Sequence, residues 1–412
     1  MLDIINDDSK RNRMNKFKKI YCRAFQITMR ALIPFFPYRE PKLLSGTSEI
    51  ADTLAKQGIV KVMLFVSRSV RARGLTGELE SLLSEKNIDA VIYDGVRPDP
   101  TSANVEEARE IYENSGCEAI VAFGGGSVID CAKAVGARIV CPKKPLRKMA
   151  GLIKIRRRLP LFIAVPTTAG TGSEVTVASV IVDAETHHKY VINDFSLIPH
   201  YAALLPEVTV GLPPHLTATT GMDALTHAVE AYVGRSRTKQ TARQAEEAVK
   251  LILENLERAY NNGNDVTVRE NMLRASYLAG CAFTKSYVGY VHAVAHTLGG
   301  KYGVAHGLAN AILLPKVLRA YGESVIAPLA RLAEVCGIAV VGDKRASAEA
   351  FISRVEAMNE RMQIPRFLDC ISLADIPSMA KDAEREANPL YPVPTLWDAD
   401  GLSIIYKVAS GK

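Results

Sequence analysis

The stretch AIVAFGGGSVIDCAK (119–133) decides the fold. It opens with an unbroken apolar run of strand length, passes through three glycines, and continues from Ser127 in a pattern with apolar residues at helical spacing. Strand, turn and helix in direct succession form the unit from which parallel sheets are built. Gly124, Gly125 and Gly126 allow a close approach of backbone to ligand. The helix N-terminus adds unpaired N–H groups and positive dipole, so the loop suits a pyrophosphate. The run is neither GxGxxG nor a P-loop, and taken alone it reads equally well as a tight turn.

Working outward, the same alternation recurs. Residues 59–66, 90–93 and 161–165 read as buried strands, and 75–85, 104–114 and 127–137 as helices. After the strand at 161–165 comes PTTAGTGSEVT (166–176), dense in hydroxyls and glycine, which suits phosphate or ribose but also local turns. Two such loops at strand ends of one sheet point to a nucleotide at its carboxyl edge.

After about residue 205 long helical patterns take over, for example 240–260, 270–283 and 346–362. The expected organisation is an α/β dinucleotide-binding domain over 41–205 and an all-α domain over 206–412, with a cleft between them. Asp223 and His227 are four apart in GMDALTHAVEAY, as are His292 and His296 in VHAVAHTLGG, and His306 follows in a loop-like segment. Side chains four apart share a helix face. Imidazoles with a carboxylate make a ligand set for Fe(II), Zn(II) or a similar divalent ion. The bland alternative is an intrahelical Asp–His contact and hydrogen-bonded core histidines. His187, His188, His200 and His215 belong to no spaced set.

The chain has 412 residues, 48% of them hydrophobic and 23% charged, values of an ordinary globular protein with sizeable cores. No apolar run approaches the roughly 18 residues of a membrane span, and no secretory-signal pattern opens the sequence. The odd, scattered set of seven cysteines suggests reduced thiols in a cytoplasmic protein. The net charge of +7 is local in origin. Residues 1–40 hold nine Lys/Arg against four Asp/Glu, and 143–158 hold eight Lys/Arg and no acid, which leaves the remainder acidic. A nucleic-acid binder spreads basic charge over a docking face, so nucleic acid is not expected as a partner. The 143–158 run is expected to be a solvated connection.

Residues 1–40 read as a basic amphipathic arm. Within 15–36 a helix is expected up to Pro34, with Phe17, Ile20, Tyr21, Ala24, Phe25 and Ala31 near helical spacing and Lys16, Lys18, Lys19, Arg23 and Arg30 on a cationic side. Such a helix can lie on an anionic membrane surface. The commoner arrangement packs the apolar stripe on its own protein or on a second subunit, and that is the expectation here.

Taken together, five ordered motifs resemble those of the iron-containing (group III) alcohol dehydrogenase family, which shares its fold with dehydroquinate synthase and glycerol dehydrogenase. They are GGGSVIDCAK (124–133), PTTAGTGSEVT (166–176), GMDALTHAVEAY (221–232), VHAVAHTLGG (291–300) and AHGLANAILLP (305–315), within a match covering about 45–400. The resemblance implies Asp223, His227, His292 and His306 as ligands of Fe(II) or Zn(II), with His296 beside the reacting centre. It implies a nicotinamide dinucleotide held by Gly125, Gly126, Ser127, Asp130, Thr167, Thr168, Thr171 and Lys189. Where NAD-preferring members tend to place an Asp after the first strand, this chain has Ser67 and Arg68, which favours NADP(H) over NAD(H) unless Arg68 is merely a surface charge. Ala305 and Thr297 stand where the family often has proline. The implied activity is hydride transfer between NAD(P)H and a short primary alcohol or aldehyde, in a homo-oligomer. The alternative is a glycerol dehydrogenase- or dehydroquinate synthase-like enzyme on a polyol or phosphorylated substrate, although 291–300 supplies no phosphate-binding base except the two histidines.

Overall fold

The glycine-rich turn leaves the centre of a six-stranded parallel sheet. The structure, a computed structural model, describes residues 14–186 and 188–412; the first thirteen residues of the N-terminal arm, and His187, lie outside the described residues. The chain divides into two units, Pro37–Gly211 and Leu212–Lys412, the second of which includes the N-terminal segment through Phe36.

The first unit is α/β. Its strands are β1 (Lys42–Leu44), β2 (Lys61–Val66), β3 (Asp89–Tyr93), β4 (Ala119–Gly124), β5 (Gly151–Leu152), β6 (Leu161–Pro166), β7 (Ala178–Val182), β8 (Lys189–Asn193) and β9 (Tyr201–Ala203). The main sheet has the order β1-β9-β6-β4-β2-β3, parallel throughout, and β5-β8-β7 form a small second sheet in which β7 and β8 run antiparallel. Both faces of the main sheet are covered. Met63, Phe65, Ile120, Ala122, Phe162 and Ala164 enter one core, while Val62, Leu64, Val66, Val121, Phe123, Ile163 and Val165 enter the other. Burial on both faces is why these strands read as continuous apolar runs rather than alternating ones. The strand order reverses between β2 and β4, so Ser67 and the Gly124–Gly126 turn leave neighbouring strands at the switch point where open α/β sheets take ligands. The three-residue strands β1 and β9 and the β7–β8 hairpin escape a reading of hydrophobic runs because they are too short or only half buried. In the 143–158 run Leu146, Met149 and Ile155 are buried, and most of the cations are exposed, Lys148 and Arg156 to Arg158 among them.

The second unit is all helical. The Pro214–Val233 helix is its axis, buried without interruption from Gly221 to Val233. The Lys239–Asn261 and Val266–Ser286 helices begin at side-chain caps, Thr238 and Asp265, and pack against it. Gly221 permits the close approach, since a Cβ there would lie 2.3 Å from Leu256. The Tyr290–Tyr302 helix ends in a left-handed Gly303 (φ 66°), which turns the chain into the His306–Tyr321 helix. Thr297 sits inside the first of these helices, its hydroxyl bonded to Val294 O, and Ala305 occupies the N-cap of the second. Among the described residues no helix is long and apolar enough to cross a membrane.

The N-terminal helix, Lys16–Leu32, departs from one of the two arrangements expected for it, that of packing on the same chain. Its apolar stripe does not pack on its own protein: Phe17, Ile20, Tyr21 and Ile27 are exposed, and the residues facing inward are Cys22 and Gln26. The inward face is specified by hydrogen bonds to backbone carbonyls, which polar side chains make and apolar ones cannot.

Candidate metal centre and dinucleotide loops

Four side chains on three helices converge in the helical unit. One ligand atom from each of Asp223, His227, His292 and His306 lies within 4.8 Å of the others. Asp223 and His227 project from one face of the buried axis, as their four-residue spacing dictates. His306 is delivered by Gly307, where a Cβ would stand 2.4 Å from Thr219 O, so only glycine lets the two helices come this close. Asp223 Oδ1 is 3.4 Å from His306 Nε2 and 4.0 Å from His292 Nε2. The ring of His227 lies between those of Phe283 and His292, with centroids 4.1 and 4.5 Å away.

The surroundings fix the donor atoms. Buried Glu230 accepts hydrogen bonds from the backbone N–H groups of Gly289 and Val291, both at 2.8 Å, and meets His292 Nδ1 at 2.6 Å. In its carboxylate form Glu230 accepts only, so Nδ1 carries the proton and the Nε2 lone pair is left free on the side where Asp223 and His306 gather. Burial pushes the Glu230 carboxyl up to about 7, against the lowering effect of those bonds. Burial, and then the neighbouring imidazoles, hold His292 well below the ordinary histidine value, so it is neutral. Asn310 Nδ2 reaches Asp223 Oδ1 at 2.7 Å, His306 Nε2 at 3.1 Å and His292 Nε2 at 3.3 Å. An amide has two hydrogens for these three neighbours. A carboxylate and imidazole nitrogens gathered in this way fit a divalent cation.

His296, one turn beyond His292, stacks on His306 with centroids 5.2 Å apart. Its Nδ1 lies 2.6 Å from Glu386 Oε1, which also accepts the Tyr391 hydroxyl at 2.8 Å. Burial pushes the Glu386 carboxyl up, but His296 and Tyr391 outweigh it and leave it below the ordinary value.

In the α/β unit the loops are built by the absence of side chains. The Gly126–Val140 helix starts at Gly125 with no side-chain cap, so its first N–H groups remain available to an anion. A Cβ on Gly126 would stand 2.8 Å from Thr171, and one on Gly125 would stand 3.4 Å from the Thr168 hydroxyl. Thr167 N donates to Gly124 O at 3.1 Å, which ties the two loops together. Ser127, Thr168 and Thr171 are partly exposed and Thr167 is buried. This cradle fits a pyrophosphate.

The remaining candidates are placed differently. Both Asp130 carboxylate oxygens are engaged internally, by the Ser173 hydroxyl at 2.5 Å and Val180 N at 2.9 Å. Lys189, at the start of β8, pairs with Asp99 at 2.6 Å. Ser67 caps the Arg68–Ala72 helix by accepting from Val70 N, and Arg68 is exposed. Sequence reasoning overlooked Glu230, although it lies three residues beyond His227 on the same helix. It also overlooked buried Lys133, whose ammonium donates to Thr176 O, Thr176 Oγ1 and Ala178 O, each at 2.9 Å. Asn310 stands four residues after His306 on one helix, a spacing that could have found it, whereas Glu386, ninety residues from His296, and Tyr391 carry no such signal.

Known proteins resemble the chain over most of its length. A family model described as iron-containing alcohol dehydrogenase matches residues 41–206, and one for the C-terminal part of the Fe-containing alcohol dehydrogenase family matches 217–409. The chain is 37% identical over 362 residues to 1,3-propanediol dehydrogenase of Klebsiella pneumoniae, covering 87% of this chain and 92% of that protein. It is 35% identical over 321 residues to an NAD-dependent methanol dehydrogenase of Bacillus methanolicus, covering 78% and 84%. A solved 1,3-propanediol oxidoreductase superposes with a TM-score of 0.87 at 35% identity, covering 91% of this chain and 99% of that one.

Proposed function

Because the chain belongs to the iron-containing alcohol dehydrogenase family, we propose that it interconverts short primary alcohols and aldehydes, exchanging hydride with a nicotinamide dinucleotide. The observation that carries this reading is the convergence of Asp223, His227, His292 and His306 within 4.8 Å. These four would hold Fe(II), or Zn(II), which when bound supplies Lewis acidity toward the substrate oxygen. The loops carrying Gly125, Gly126, Ser127, Thr167, Thr168 and Thr171 would hold the dinucleotide, whose own chemistry carries the hydride.

The chain's own residues then have distinct tasks. Glu230 holds His292 in the tautomer whose Nε2 accepts. Glu386 engages His296 Nδ1 and leaves Nε2 as the atom through which that imidazole takes or gives the alcohol proton. The Glu386 carboxylate stabilises the imidazolium as it forms, and the Tyr391 hydroxyl keeps that carboxylate in place. Asp130 acts as a brace between the Gly126–Val140 helix, Ser173 and β7. For Lys189 to contact the dinucleotide it would have to leave Asp99.

Arg68 favours a 2′-phosphate, while the methanol dehydrogenase relative is named as NAD-dependent; the ratio of kcat/KM for NADPH and NADH decides between them. The division of labour follows about 41–205 for the dinucleotide and 206–412 for metal and substrate. A homo-oligomer in the cytoplasm completes the proposal, with seven thiols unpaired as a reducing compartment would keep them. The test is anaerobic oxidation of NADPH and of NADH with 3-hydroxypropanal and butanal, in protein reconstituted with Fe(II) or Zn(II). Metal-dependent turnover that disappears in His292→Ala supports the proposal. No turnover by protein shown to bind both metal and dinucleotide overturns the substrate class.

A further inference from the structure

The Lys16–Leu32 helix is mounted the wrong way round for a core element. Cys22 and Gln26 are buried beneath it, at 1% and 5% exposure. The Arg23 guanidinium donates to Val393 O and Pro394 O, both at 2.7 Å, and Gln26 Nε2 donates to Tyr391 O at 2.7 Å. Lys18 pairs with Glu384 at 2.5 Å. These bonds fix the helix's rotation, and the rotation turns its apolar side outward. Phe17 is 83% exposed, Ile20 58%, Tyr21 60% and Ile27 67%, and Phe35 continues the stripe at 81% just past the helix end. Ala24 and Ala31 fill the positions between them and are exposed as well.

An apolar band at i, i+3, i+4, i+7 and i+10 normally faces a core. This one faces away over about 22 Å from Phe17 to Leu32. The helix carries Lys16, Lys18, Lys19, Arg23 and Arg30 and no acidic residue. Exposed Lys16 and Arg30 lie on one flank of the band, near its two ends.

We propose that this outward stripe docks the protein on an anionic lipid bilayer, with Phe17, Ile20, Tyr21, Ile27 and Phe35 entering the interface and the flanking cations meeting lipid phosphates. Charge complementarity favours that occupant. An apolar face with cations along one flank is matched by a surface that is apolar beneath an anionic headgroup layer. A second copy of the same helix would bring cation to cation across an antiparallel pairing.

The experiment is cosedimentation of the full metal-loaded chain with phosphatidylcholine vesicles, pure or containing about 30% phosphatidylserine. A Phe17→Glu/Ile20→Glu/Ile27→Glu variant is run beside it, and both proteins are sized by sedimentation velocity without lipid. The changed side chains are exposed, so an unaltered melting temperature certifies the fold. The expected result is binding at least about tenfold stronger to the anionic vesicles, weakened by high salt, and lost by about tenfold or more in the variant. Three results overturn the proposal: no vesicle binding by the unaltered chain, equal binding by the variant, or a variant that sediments as a smaller species, which would assign the stripe to a second copy.

Discussion

The two candidate sites are built on opposite principles. In the helical unit the functional atoms are side chains, set at four-residue spacing on a helix buried from Gly221 to Val233 and held by partners such as Glu230 and Asn310. In the α/β unit the functional surface is backbone, exposed because Gly125 and Gly126 have nothing beyond Cα and because no side chain caps the helix that follows. One site is defined by what its residues carry, the other by what they lack. The first should therefore fail when atoms are removed and the second when atoms are added.

The sharpest contrast comes from His292→Ala. Losing an imidazole from the four-ligand set should lower metal-dependent turnover by at least about a thousandfold and deplete bound metal, while leaving dinucleotide affinity unchanged. Metal analysis beside dinucleotide titration checks both halves. The converse is Gly126→Val, which puts branched carbon where Thr171 is already 2.8 Å from a Cβ. It should cost about a hundredfold in kcat/KM for the dinucleotide with metal content intact. If each variant damaged both functions alike, the contrast would collapse.

Glu230→Gln tests whether the side-chain site depends on its supporting layer. It keeps the shape but exchanges one acceptor oxygen for a donor beside His292 Nδ1 and the Gly289 and Val291 amides. Metal affinity should fall between about ten and a hundredfold, read by competition with a chelator. A smaller shift is expected from Arg68→Ala, about fivefold to tenfold toward NADH in the ratio of kcat/KM values. An unchanged ratio would make Arg68 a surface charge.

The smallest effect concerns stability of the α/β unit in acid. Burial, then Arg39 and Arg158, push His200 down to about 4 from an ordinary 6.5. Below 6.5 the unfolded chain takes up the proton and the folded one resists it. The stabilisation is thus complete above pH 6.5 and is lost as the pH falls toward 4. His200→Gln should flatten the decline of the urea midpoint over that window.

Much of the fold is legible in the sequence. The apolar runs read at 59–66, 119–123 and 161–165 announced buried strands, and the glycines after 123 announced the turn. Three of the four metal candidates, Asp223, His227 and His292, were legible because helical spacing is periodic and the pairs Asp223/His227 and His292/His296 obey it. His306 followed in a loop-like segment and joined the set through the resemblance. Glu386 was not, since it meets His296 across ninety residues of chain, and Tyr391 joins them only through its bond to Glu386. The N-terminal helix shows the limit most plainly. Periodicity found its apolar stripe, but a stripe does not say which way it faces. That was settled by Arg23 and Gln26, whose side chains donate to the carbonyls of Pro389, Tyr391, Val393 and Pro394.

The alternation of strand and helix, the glycine cradle and the donor atoms available to the site follow from residue order alone, because periodicity, backbone freedom and donor type are local properties. Which acid orients which imidazole, the engagement of both Asp130 oxygens by Ser173 and Val180, and the outward turn of the first helix's apolar side emerge only from the folded chain. These are pairings between residues distant along the chain, selected by the requirement that buried polar groups find partners, and no local pattern records them.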